Sequence, residues 1–197
     1  MRKISLVLIT VLLVSLAYAQ SPKGKSIYVK EFKWKIVIPA GFDALGQDVQ
    51  DAYKKKGLDA IEKNVGQVVD DQTTNIFYYG SERINVIEAL YQPFDEETEG
   101  EYNEVNRAIG DLLYDTFVQQ MPGAKIDSTW TVKNIDGLDF NLFAVEIVLP
   151  NGKLMTMEMY SRLFGKQELT INITYIDEQK GKLMKEAFFN STFKKEH

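Results

Sequence analysis

Residues 93–105, PFDEETEGEYNEV, hold the densest run of carboxylates in the chain: Asp95, Glu96, Glu97, Glu99, Glu101 and Glu104. Asp95, Glu97, Glu99 and Gly100 imitate the start of a calcium loop, where oxygens at alternate positions precede a glycine. The twelfth position, which should offer a bidentate glutamate, is Asn106. Thr98 and Glu101 instead have the spacing of a capping box, and the remaining acids suit the positive end of a helix. The stretch therefore reads as the lead-in to a helix.

A second group is Met155, Met157 and Met159 in LMTMEMY, three thioethers that alternate and so share one side of a strand. If Asn151-Gly152 forms a two-residue hairpin turn, Met157 lies opposite Glu146 and Met159 opposite Ala144. The row then either fills gaps under a helix or forms an adaptable contact surface with Glu146; soft thioethers could also meet Cu(I). The third group is Glu158, Tyr160 and Arg162, on the opposite side of the same strand. The same register sets them beside Val145, Phe143 and Asn141 on one neighbour and Ile173, Ile171 and Leu169 on the other. A charge there needs a partner. Either Glu158 and Arg162 pair at the rim of the sheet, or they anchor a ligand in a pocket.

Other chemistry lacks its residues. The sole histidine is His197, and there is no cysteine, so histidine bases, nucleophile triads and thiolate metal sites have no members here. No glycine-rich phosphate loop follows a strand. A hydrolase would have to rest on carboxylates alone. No cofactor and no metal are expected.

These groups need a frame to position them. Phe32, Trp34, Ile36 and Ile38 alternate with Lys33 and Lys35, the period of a strand. A helical pattern runs over 48–65 with Gly57 in its middle, then strands over 75–79 and 83–91. A long helix follows from about Tyr102 until Pro122-Gly123 stops it. Strands over 125–133, 138–149, 153–164 and 167–176 form a meander, and Asp177 can cap a last helix reaching about Phe189. Hairpin signals dominate, and several strands are apolar on both sides. The expectation is an α+β fold: a mainly antiparallel sheet sandwiched by helices on both faces.

The first residues give an address. Arg2 and Lys3, an apolar run over 4–16 and Ala17-Tyr18-Ala19 make a cleavable signal peptide over 1–19. The absence of cysteine argues against a lipid anchor, so the expected location is periplasmic or secreted, with no membrane insertion after cleavage. Residues 20–30 read as a disordered lead-in and 31–194 as a single domain. With 23 basic against 28 acidic side chains the chain is net negative, which disfavours nucleic acid as a partner.

KIVIPAGF at 35–42, NIDGLDFNLF at 134–143 and AFFNSTFK at 187–194 resemble the PsbP-like fold superfamily over roughly residues 32–193. That superfamily includes the photosystem II extrinsic protein PsbP, a Ran-GTPase-binding protein and many short secreted bacterial proteins, the last group being the most similar. The resemblance implies a non-catalytic binding or accessory module that contacts a protein or envelope component, and it carries over no site residues. A small-ligand carrier with a pocket between sheet and helix is the alternative, and a carboxylate-based hydrolase the least supported one. The candidate binding residues are Met155, Met157, Met159, Glu146, Glu158 and Arg162.

Overall fold

The computed structural model describes residues 24–82 and 84–194. In chain order the elements are β1 (Lys25–Val29), β2 (Trp34–Ile38), β3 (Asp43–Ala44), α1 (Gln47–Val65), β4 (Thr74–Ser81), β5 (Asn85–Pro93), α2 (Glu96–Glu99), α3 (Tyr102–Gln120), β6 (Lys125–Ile135), β7 (Leu138–Val148), β8 (Leu154–Phe164), β9 (Gln167–Tyr175), α4 (Glu178–Phe189) and β10 (Thr192–Phe193). Seven strands form one sheet in the order β3-β4-β5-β9-β8-β7-β6, and β1-β2-β10 form a small second one. Every pairing is antiparallel. The fold is the expected α+β sandwich, with helices over both faces. The signal-peptide reading of 1–19 lies outside the described residues. The lead-in expected over 20–30 needs correction, because Lys25–Val29 pairs along its length with β2, and half-buried Ile27 packs on the core.

The two faces of the large sheet bury unequal cores. Under α4 and β2, Trp34, Ile36, Phe140, Tyr160, Ile171 and Phe188 are among the fully buried side chains of the larger core. Trp34 stacks on Phe193 at 5.6 Å between ring centroids, and its indole N–H donates to Ser191 Oγ at 2.8 Å. Under α3, Phe143, Val145 and Ile147 make the smaller core with half-buried Ile109, Leu113 and Phe117. α3 lies close because residue 110 is glycine. A Cβ there would overlap the Trp130 ring and come within 3.1 Å of Phe143.

The register between β7 and β8 differs by one residue from the two-residue-turn expectation. Met157 pairs with Val145 and Met159 with Phe143, while Glu146 pairs with Thr156 and Glu158 with Ala144. The cause is Pro150. A two-residue turn at Asn151-Gly152 would close on a hydrogen bond from the N–H of residue 150, which proline lacks. The loop takes three residues instead. Gly152 N–H donates to the Leu149 carbonyl at 2.8 Å, and Leu149 N–H donates to the Lys153 carbonyl at 2.9 Å. Pro150 suits the second position of such a turn, and Gly152, at φ 77°, takes the left-handed position that follows. A one-residue slip exchanges the faces of a strand relative to its neighbour.

The acidic stretch starts two helices rather than one. Asp95 caps α2, its side chain accepting from the Glu97 N–H, and Glu101 caps α3, accepting from the Glu104 N–H at 2.9 Å. The Thr98–Glu101 capping box does not form: the Thr98 hydroxyl donates to the Asp95 carbonyl. Glu96 and Glu99 accept from the backbone N–H groups of Tyr102 and Asp95, and Lys166 pairs with Asp95 at 2.8 Å. These carboxylates serve backbone donors at two helix starts.

Replacing Gly110 with alanine drives a methyl group into Trp130 and Phe143. Urea unfolding of Gly110→Ala is expected to show a loss of roughly 1–3 kcal/mol, against a mean gain for Gly→Ala in an open helix position.

Candidate functional site

The site residues named from sequence separate onto two faces. Met159 is buried, and Met155 and Met157 are half-buried against Phe143, Val145 and Ile147 beneath α3. The methionine row is therefore core packing and offers no open contact surface. Glu146 is exposed on the other face, opposite Asp127 of β6 and Thr156 of β8, so it does not adjoin the row.

Glu158 and Arg162 do not pair. Glu158, 8% exposed, accepts Lys185 Nζ of α4 at 3.1 Å on Oε1. The Tyr175 hydroxyl donates to the same oxygen at 3.3 Å, and the Tyr160 hydroxyl to Oε2. Lys185 also donates to Tyr175 at 3.0 Å. Burial opposes the Lys185 ammonium, but Tyr175 and Glu158 outweigh it and hold its pKa above the ordinary value. Burial pushes both tyrosines up. Arg162 instead donates from Nη1 to the Asp139 carbonyl at 2.6 Å and lies over the Phe164 ring. Glu158 is occupied within the fold and pins α4 to the sheet, whereas Arg162 ties β8 to the Asp139 carbonyl and keeps a buried Nε without a hydrogen-bond partner.

One open site lies on the α3 side, between α1 and the sheet. α1 runs for 19 residues without one fully buried side chain. It is held by polar contacts: Asn64 Nδ2 to Thr116 Oγ1 of α3 at 2.9 Å, Asn75 Nδ2 to Gln50 Oε1 at 3.3 Å, and an ion pair between Lys54 and Asp71. A helix attached this way does not press onto the sheet, and a cleft of about 330 Å³ remains beneath it. That volume is at the small end of ligand sites. Leu58 and Ile61 of α1 and Leu90 of β5 give apolar walls, and Tyr53 and Tyr78 stack at 6.2 Å with 22° between planes.

The floor is polar. Glu88 of β5 pairs across the ladder with Asn172 of β9 and Tyr78 of β4. Asn172 Nδ2 donates to Glu88 Oε2 at 3.2 Å. Burial is the leading cause of a Glu88 pKa above the ordinary 4.5, with Asn172 and the charge of Lys54 opposing it. Burial likewise raises Tyr78, reinforced by the neighbouring Glu88 charge. Farther along the same face Glu168, 3% exposed, is also raised by burial. It accepts from Gln92 at 2.8 Å and from Tyr102 and Asn106 at 3.1 Å. Three donors make Glu168 an anchor for the first turn of α3, whereas Glu88 faces a space.

No family model matches the chain, and no curated protein does. Among solved structures it is similar to cyanobacterial PsbP (CyanoP) from Synechocystis sp. PCC 6803, with TM-score 0.55 at 8% identity, over 92% of this chain and 99% of that one. The chain has a PsbP-like fold. A structure from Bacteroides thetaiotaomicron VPI-5482 superimposes with TM-score 0.48 at 8% identity over 88% of this chain, which spans 50% of that one. At these identities the likeness is one of fold. In this PsbP-like frame Glu88, Asn172 and Tyr78 are the site residues that the sequence reading missed. The available signal was a lone carboxylate inside the apolar run INVIEALY.

The raised carboxylate has a sign that can be tested. A folded-state pKa above the unfolded value means the native chain holds the proton more tightly. Stability therefore falls as pH climbs from about 4.5 through the raised values of Glu88 and Glu168, and levels off above them. Glu88→Gln keeps an acceptor for Asn172 and never ionises. Urea melts should show the variant more stable than the parent near pH 7.5 and equal to it near pH 4.

Proposed function

We propose that the protein is a non-catalytic binding module acting outside the cytoplasm, and that the cleft under α1 holds a small organic ammonium ion. One observation carries this reading: the Glu88 carboxylate lies on the polar floor of a cleft with apolar walls, where burial disfavours its charge. Lys54, the cation already near Glu88, is ion-paired with Asp71, so an ammonium group beside Glu88 would add a closer counter-charge within a space already partly shielded from water. The rings of Tyr53 and Tyr78 add faces that attract cations, and Leu58 and Leu90 suit a short alkyl chain. Asp71, the other carboxylate of the cleft, is engaged by Lys54, which favours binding over paired acid–base chemistry. The leader-like segment over 1–19 supports the location.

Butylammonium is a suitable probe, with 1-pentanol as its uncharged counterpart. In ¹H–¹⁵N spectra butylammonium should shift the Asn172 side-chain amide and the Gly57 and Leu90 backbone amides saturably. Glu88→Gln should weaken that binding at least tenfold, about 1.4 kcal/mol, and pentanol should leave those signals in place. Absence of a saturable shift, or equal binding of the alcohol, would sink the proposal.

A further inference from the structure

The far edge of the large sheet is β6, an 11-residue strand that pairs with β7 without a bulge from Lys125↔Val148 to Ile135↔Leu138. Its turn is the two-residue Asp136-Gly137, with φ 51° and 79°, so Ile135 and Leu138 form the closing hydrogen-bonded pair. Alternation along an antiparallel ladder then sends the N–H and C=O groups of Ile126, Ser128, Trp130, Val132 and Asn134 outward. The Ser128 N–H agrees: Asp127 Oδ1 accepts it at 2.9 Å. Among the described residues, no backbone–backbone hydrogen bond is made by the outward groups of those five residues. Proteins blunt such edges with proline, bulges, short strands or charge. β6 contains no proline and no glycine, its register is unbroken, and its strand interior carries Thr129, Trp130, Thr131 and the exposed Val132. Its charges are confined to Lys125, Asp127 and Lys133.

Those charges are self-complementary. We infer that the edge of β6 docks a second copy of this chain, antiparallel about a two-fold axis through Trp130, joining the two large sheets into one. In that register Ser128 faces Val132 of the second copy and Ile126 faces its Asn134, so outward groups meet outward groups. Asp127 then stands opposite Lys133 of the other copy, and the symmetry makes this ion pair twice. Thr129 faces Thr131. Sliding by two residues in one direction sets Lys125 against Lys133, a like-charge pair that costs stability. Sliding the other way sets Asp127 against Ile135 and Lys133 against Thr129, losing both ion pairs. Charge therefore selects one register. Lys133 is already oriented, its ammonium 4.5 Å from the centre of the Phe189 ring, and Asp127 exchanges its local bond to Ser128 for the cross-axis partner.

The mass of the purified protein in solution, by sedimentation equilibrium, tests this. The expected result is a reversible dimer. Asp127→Lys and Lys133→Asp should each be monomeric, because each sets like charges opposite one another. Mixed in equal amounts they should form a dimer, since every Lys then meets an Asp. Val132→Pro removes an outward N–H while sparing the ladder to β7, and it should also be monomeric with an unchanged circular dichroism spectrum. A parent that stays monomeric at the highest soluble concentration overturns the proposal, as does a dimer that survives Val132→Pro. Dimers of either charge variant alone would overturn the register.

Discussion

Pro150 has no amide hydrogen, and the make-up of both faces of the sheet follows from that. The hairpin it opens cannot close with two residues, so β8 moves by one position against β7. The methionines consequently join Phe143, Val145 and Ile147 under α3, and Glu158 comes under α4 within reach of Lys185. Had the turn closed at Asn151-Gly152, each alternate side chain would have met the other set of neighbours. Glu158 would have lain beside Val145 and Phe143, where no counter-charge is available. A missing hydrogen at a loop thus decides the partners of a buried carboxylate eight residues away.

Elements with a strong local signal were legible. The alternation from Trp34 to Ile38, the long helix ending before Pro122-Gly123 and the Asp177 cap all stand where the residues place them, while Phe32 and Lys33, the latter at φ 49°, lie in the turn before β2. β1 was not, because KSIYV follows a polar segment and has only one alternation of its own; pairing with β2 makes it a strand. In the acidic stretch the cap chemistry was legible and its assignment was not. Gly100, at φ 104°, breaks the backbone between two helix starts that share one acidic run. The cleft was the least legible part. Glu88 sits in a run whose neighbours mark a buried strand, and nothing in its local pattern says that the helix covering it arrives without buried side chains of its own.

That difference between the two helices over one face organises the site. α3 is drawn close by Gly110, and its apolar residues interlock with the sheet. α1 is held by amides, a hydroxyl and an ion pair, which fix position with directional bonds but exclude little water. Close packing and open space therefore lie side by side on the same surface, and the polar floor of Glu88, Asn172 and Tyr78 lies under the looser helix. The half-buried Glu88 carboxylate is tolerable there because Asn172 donates to it and the charge of Lys54 acts on it.

The indole of Trp34 joins parts of the chain that are made at opposite times. Its partners Phe188, Ser191 and Phe193 arrive about 150 residues later, and Ser191 is 157 positions away. Until they exist, β2 has no β10 beside it and the larger core has no lid. Such long-range closure slows folding, and during synthesis it leaves the nascent chain without its main core until the final helix has emerged. A chain delayed in this way completes its main core only once α4 and β10 are made, so most of its tertiary structure forms after synthesis rather than during it.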